Sequence, residues 1–197
     1  MKRRQFIRDL VASSVALAAA PLGYAGNAVQ QTNIRYLRPP GALDEQEFSG
    51  RCIRCGQCGE ICPNRCIQFF DTELFNTGNG VASYGTPFII PREQACILCM
   101  KCGEVCPTGA ISSVEREAEQ ILTKVKMGKA RVDTSLCLSY QGKSCGVCYR
   151  ACPLQDVAIK VGWMEQPTVF DECVGCGLCE RSCIQIPQAI RIIPNHA

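Results

Sequence analysis

The chain has 197 residues, with 21 Lys+Arg against 18 Asp+Glu, and 17 of its residues are cysteine. The formal charge of +3 is carried by the first residues: beyond position 25 the sequence holds 17 basic and 17 acidic side chains, so charge makes no case for nucleic acid. A part of about 170 residues beyond a leader allows one or two small domains, not a large enzyme.

Residues 1–25 predict a twin-arginine signal peptide. Lys2, Arg3, Arg4 and Arg8 form a basic start, and an alanine-rich apolar run from Leu10 to Leu22 follows. That run is too short and too weakly apolar for a comfortable bilayer span. The R-R-Q-F-I pattern resembles the receptor-read twin-arginine address. The expected location is the periplasm, reached already folded through the twin-arginine translocase, with association to the membrane through a partner. Folded export suits a thiol-rich chain, whose bare sulfur would otherwise meet an oxidising compartment. Residues 26–50 read as a polar, extended leader punctuated by Pro39, Pro40 and Gly41.

The region 51–197 is organised by one repeated pattern. Cys52, Cys55, Cys58 and Cys62 read C-x2-C-x2-C-x3-C, as do Cys96, Cys99, Cys102 and Cys106, and again Cys173, Cys176, Cys179 and Cys183. Cys137, Cys145, Cys148 and Cys152 keep the last two steps and stretch the first. The motif segments are 52–66, 96–110, 137–153 and 173–184, and Pro63, Pro107 and Pro153 follow the last Cys of the first three. Three close thiolates followed by a fourth is the ligand run of bacterial cubane sites, where the fourth usually serves the neighbouring cluster. Four [4Fe–4S] clusters are therefore expected, with these sixteen cysteines as iron ligands. A secreted disulfide framework would not repeat one short unit. Zinc ribbons use two C-x2-C pairs and leave a third close Cys without a role. Cys66 is the odd thiol and reads as a small buried hydrophobe.

Between the motifs the expected elements are short. Ile67, Phe69 and Phe70 form an apolar run, residues 76–85 a hairpin or surface loop, Thr86–Ile90 a strand, and Ala110–Val114 a short strand or turn. Over 113–127, Val114, Ala118, Ile121, Leu122 and Val125 recur at helical spacing, with Ser112 and Glu115 as a capping box and Gly128 as a stop. Arg131–Asp133, Val157–Val161, Thr168–Phe170 and Ala189–Ile193 read as short strands. Trp163 reads as a lid over a cluster or as plain packing. Arg51, Arg54, Lys101, Arg150 and Arg181 lie near the ligands, either to offset cluster charge or to dock an acidic partner. Other chemistry is thin. Gly142-Lys143-Ser144 lacks the upstream Gly of a P-loop, Gly78-Asn79-Gly80 lacks the third Gly of a dinucleotide turn, and His196 is the only histidine. No catalytic residue is assigned. The fold class expected is α+β: two ferredoxin-like halves of the bacterial 2[4Fe–4S] kind, short strands and helices around clusters.

Beyond the cysteines the chain resembles the NapG/MauM family of periplasmic ferredoxin-type proteins. The matching stretches are Leu37-Arg38-Pro39-Pro40-Gly41-Ala42-Leu43, the run from Phe48 through RCIRCGQCGEICP, Met127-Gly128-Lys129-Ala130, CLSYQGKSCGVCYRACP from Cys137, CVGCGLCERSC from Cys173, and AIRIIP near the end. The resemblance implies an electron carrier, either on its own or as a non-catalytic subunit of a quinol dehydrogenase complex. It would relay electrons from a membrane iron–sulfur quinol-oxidising partner of the NapH type towards a periplasmic redox enzyme or cytochrome, such as nitrate reductase. The alternatives are the MauM branch, tied to methylamine utilisation, and an assembly or maturation factor for a redox enzyme. Two cluster pairings stay open. Spacing favours exchange of the fourth Cys between adjacent motifs. Resemblance to the electron-transfer subunits of the dimethyl sulfoxide reductase group favours a nested scheme, in which Cys62 joins Cys173, Cys176 and Cys179 while Cys183 joins Cys52, Cys55 and Cys58. The nested scheme is the one expected.

Overall fold

The structure is a computed structural model that describes residues 36–71 and 84–195. The chain divides into residues 1–31 and 32–197, and everything described belongs to the second unit. The expected signal peptide, most of the 76–85 loop and His196 lie outside the described residues.

The elements, in chain order, are α1 (Glu45–Arg51), α2 (Gln57–Glu60), β1 (Gln68–Phe69), β2 (Pro87–Phe88), α3 (Lys101–Glu104) and α4 (Ala118–Lys124). Then come β3 (Gly128–Val132), α5 (Val147–Arg150), β4 (Ile159–Val161), β5 (Pro167–Val169), α6 (Leu178–Ser182) and β6 (Ile190–Pro194), with a 3-10 turn at Trp163–Glu165. The strand pairings repeat. β1 pairs antiparallel with β2 between the first two motifs, and β4 with β5 between the last two. β3, which leads into the third motif, pairs antiparallel with β6, which leaves the fourth, from Gly128↔Pro194 to Val132↔Ile190. Before the first motif and after the second, Ala42 bridges Ile111 in the same antiparallel sense. One hydrophobic cluster joins these elements and includes Leu37, Phe48, Ile89, Ile111, Ile121, Val125, Ile190 and Ile192 together with many of the thiols.

Two expectations change. The end of the leader is not extended, because residues 45–51 form α1. The Asp44 side chain accepts a hydrogen bond from the Glu47 amide at 3.1 Å. Glu45 and Glu47 occupy the first turn and Arg51 the last, which complements the helix dipole. The helix expected over 113–127 spans only Ala118–Lys124 and begins after Glu117. The Ser112 amide donates to the Gly41 carbonyl at 2.8 Å, and the Ile111 bridge holds the preceding chain extended, so the capping box goes unused. The strands shift only at their ends.

A buried cation fastens α1 to β2. Arg38 is 5% exposed. Its Nε donates to Glu45 Oε2 at 2.8 Å, and its Nη1 donates to Thr86 Oγ1 at 2.9 Å and to the Pro87 carbonyl at 2.7 Å. The guanidinium also lies 4.7 Å from the Phe48 ring centre and 5.2 Å from that of Tyr36. Charge pairing, carbonyl contact and aromatic faces together supply what burial of an arginine demands.

Candidate iron–sulfur centres

Each motif folds by the same local device. The residue after its second Cys lies in the left-handed region and starts a one-turn helix that carries the third Cys. These residues are Gly56 (φ 79°), Met100 (φ 62°), Gly146 (φ 53°) and Gly177 (φ 87°). In three motifs the residue before the second Cys is left-handed too: Arg54 (φ 59°), Leu98 (φ 55°) and Gly175 (φ 77°). The stretched third motif lacks this second reversal. Alternating handedness turns successive amides inward, where they can meet anionic sulfur. The Leu98 amide lies 3.4 Å from Cys96 Sγ, that of Ile111 3.4 Å from Cys106 Sγ, and that of Ala130 3.5 Å from Cys173 Sγ.

The thiols gather in groups that mix motifs. Cys52, Cys55 and Cys58 share a cleft with Cys106, walled by Phe48, Phe69, Pro107 and Ile111. Cys137, Cys145 and Cys148 share another with Cys183. Cys152 stands beside Cys173, Cys176 and Cys179, near enough for its charge to act on theirs. Cys62 Sγ lies 3.6 Å from Cys66 Sγ, and Cys66 in turn stands close enough to Cys96, which precedes Cys99 and Cys102, for that thiol to raise its pKa. The fourth Cys therefore passes between adjacent motifs, and the nested pairing is corrected. The physical reason is the strand pairing, which closes residues 42–111 and 128–194 separately. The groups also follow one another by contact. Cys102 feels the charge of Cys58, the Cys96 amide donates to the Cys176 carbonyl at 3.0 Å, and Cys179 feels Cys148.

Burial governs the thiols' acidity. It pushes Cys58, Cys102 and Cys176 up to about 12, with neighbouring cysteine charges adding to it, and it pushes Cys148 up to about 11. Cys179 rises for the same reason. Burial also raises Cys106, but the Ile111 amide and the Thr108 hydroxyl outweigh it and leave that thiol more acidic than usual. Cys66 is raised, first by its hydrogen bond with Cys96 and then by burial. Among the described residues no three Cys, His, Asp or Glu side chains stand close enough to enclose a single ion. Four sulfurs spaced around a cleft suit a polynuclear iron–sulfur group better than one metal ion. Cys55 is the exposed one of its quartet.

Other expected site residues disperse. Arg51 lies 3.6 Å from Glu47, while Arg150 pairs with Glu165 at 2.7 Å and also reaches the Cys145 carbonyl. Arg181 reaches the Glu93 carbonyl. Lys101 is exposed at the start of α3, and Arg54 is exposed beside Cys55. Trp163 is 76% exposed, so it is neither a lid nor packing. Sequence reasoning missed the left-handed Met100, which carries no glycine to announce it. It also missed the contact of Cys66 with Cys62, for which the Cys62-Pro63-Asn64-Arg65-Cys66 spacing was the available signal.

A mixed helix and strand shell around clustered thiols defines an iron–sulfur protein of the ferredoxin type. A 4Fe-4S dicluster domain profile matches residues 95–157, and a 4Fe-4S binding domain profile matches 49–69 and 170–183. The first match runs across the second and third motifs, neighbours in sequence whose fourth cysteines nevertheless go to other partners. Similarity extends along almost the whole chain. It is 39% identical over 206 residues to the ferredoxin-type protein NapG of Escherichia coli (98% of this chain, 85% of that one). It is 37% identical over 205 residues to the methylamine utilization ferredoxin-type protein MauM of Methylorubrum extorquens (98% and 90%). A MauM of Paracoccus denitrificans is 35% identical over 209 residues (98% and 90%). The chain belongs to the NapG/MauM family of ferredoxin-type proteins, and its role is iron–sulfur electron transfer.

Proposed function

We propose that this protein holds four [4Fe–4S] clusters in two ferredoxin-like halves and relays single electrons in the periplasm. The observation that carries the reading is the repeated gathering of three thiols from one motif with the fourth of its neighbour. The ligand sets are Cys52, Cys55, Cys58 and Cys106; Cys96, Cys99, Cys102 and Cys62; Cys173, Cys176, Cys179 and Cys152; and Cys137, Cys145, Cys148 and Cys183. The repeated strand pairings support the two halves. Bound clusters would supply one-electron redox chemistry. The chain's own part is to hold thiolates, aim amides at sulfur and keep water away, the levers by which a protein tunes such centres.

The donor is a membrane quinol-oxidising iron–sulfur protein of the NapH kind and the acceptor a periplasmic redox enzyme or cytochrome, such as nitrate reductase. Similarity to the ferredoxin-type proteins NapG and MauM supports an electron-transfer role of this class. The twin-arginine pattern at Arg3 and Arg4 supports export in the folded state. The test is anaerobic purification of the exported protein, followed by iron analysis and reduction by quinol in membranes that contain the donor. About sixteen irons and clusters that reduce with quinol are expected. Colourless protein would end the cluster reading. Iron-loaded protein that never cycles would make it an assembly factor, and holoprotein exported undiminished after Arg3→Lys and Arg4→Lys would remove the twin-arginine route.

A further inference from the structure

We infer that Arg92 is a positioning residue that sets the separation between the two inner thiol quartets, those of the second and fourth motifs. The inference rests on reading those quartets as cluster ligands. Arg92 lies just beyond β2, in the part of the chain that carries the first two motifs. Its Nη1 donates across the seam to three carbonyls at the end of α6: Cys183 at 2.8 Å, Arg181 at 3.1 Å and Glu180 at 3.3 Å. Helix α6 carries Cys179, and Cys183 closes the same motif. Arg181 reaches back to the carbonyl of Glu93, the residue after Arg92, so the seam is clasped from both sides.

Between the clasps the two ligand loops touch. The Cys96 amide donates to the Cys176 carbonyl at 3.0 Å. Gly177, left-handed at φ 87°, lies so close to Pro91 that a Cβ there would stand 2.5 Å from the proline Cβ. The two ligand loops thus meet in close contact at the seam. Carbonyls at a helix end carry partial negative charge, and that of Glu180 also accepts from the Cys183 amide at 3.3 Å. A guanidinium meets several of them at once, because it is planar, always charged and rich in donors. With clusters held by the two inner quartets, the seam would set the distance over which a single electron passes between them. No bond changes and no proton moves.

The experiment uses the full-length holoprotein, reduced with dithionite and examined by pulsed EPR for magnetic coupling between the inner centres. Arg92→Gln is expected to keep full iron content and unshifted midpoint potentials while losing that coupling, and Arg92→Lys to retain it. Should Arg92→Gln shed iron, Arg181→Ala removes the reciprocal bond alone and is expected to weaken the same coupling. Wild-type coupling in an iron-replete Arg92→Gln or Arg181→Ala protein overturns the inference, because a guanidinium that merely braced the fold would leave the coupling untouched. Iron-free wild-type protein would defeat the underlying cluster reading instead, and iron analysis tells the two failures apart.

Discussion

Gly175 and Gly56 share a backbone conformation but not a neighbourhood, and substituting each by alanine separates two costs. Both glycines are left-handed, at φ 77° and 79°. An added Cβ at Gly56 meets nothing within 4 Å, whereas at Gly175 it would stand 2.5 Å from the amide and carbonyl of Gly128. Gly56→Ala therefore carries only the left-handed penalty, about 1 kcal/mol. Gly175→Ala adds a clash with backbone that no rotamer can relieve, about 2 kcal/mol more. At about 2–4 °C per kcal/mol for a chain of this size, Tm should fall by about 2–4 °C in the first variant and about 6–12 °C in the second. Gly175 also lies between Cys173 and Cys176, so the second variant should lose up to one cluster's iron, about a quarter of the total. Thermal unfolding and iron analysis under argon provide the readout. Equal Tm shifts in the two variants, or a smaller shift for Gly175→Ala, would refute the packing argument.

Arg38→Ala strands a carboxylate at Glu45 and empties the space between Phe48 and Tyr36, at a cost of about 3 kcal/mol; a denaturant midpoint within error of wild type would contradict that. Cys106→Ser and Cys55→Ser strike the same quartet, so the double variant should hold about twelve irons, no fewer than either single one. Cys106→Ser with Cys99→Ser should hold about eight, and additive loss in the first pair would restore the nested pairing. In the apoprotein, the raised thiols of Cys58, Cys102 and Cys176 contribute stability that is complete below about pH 9 and lost as pH climbs towards about 12. Urea midpoints of the apoprotein should accordingly fall between about pH 8 and about pH 10.5, whereas loading with iron should release protons, since ligation demands thiolate. A flat urea profile would show that those thiols are not buried as described.

The ligand motifs were legible because cubane chemistry dictates local spacing, and the strands beside them because short apolar runs alternate with turns. What escaped depended on distant parts of the chain. The helix at Ala118 starts late because Gly41, about seventy residues earlier, captures the Ser112 amide. The gathering of each fourth cysteine with an adjacent motif goes with Ala42 meeting Ile111 and β3 meeting β6, contacts that no motif encodes. α1 was readable in principle from Asp44 and the acids after it, but Phe48 is its one buried side chain and leaves almost no periodicity. Met100 adopts a glycine-like turn with no glycine to mark it, and Trp163 lies exposed where a large aromatic suggested cover.

On the proposed ligand sets every motif lends its last sulfur to a neighbour, so no motif would be a self-sufficient module. The smallest piece that evolution could copy, or an engineer graft elsewhere, is a couple: the span from Ala42 to Ile111 or that from Gly128 to Pro194. Cutting inside either couple would orphan sulfur on both sides of the cut, whereas the stretch between them is where such a chain can be lengthened, shortened or spliced without breaking a set.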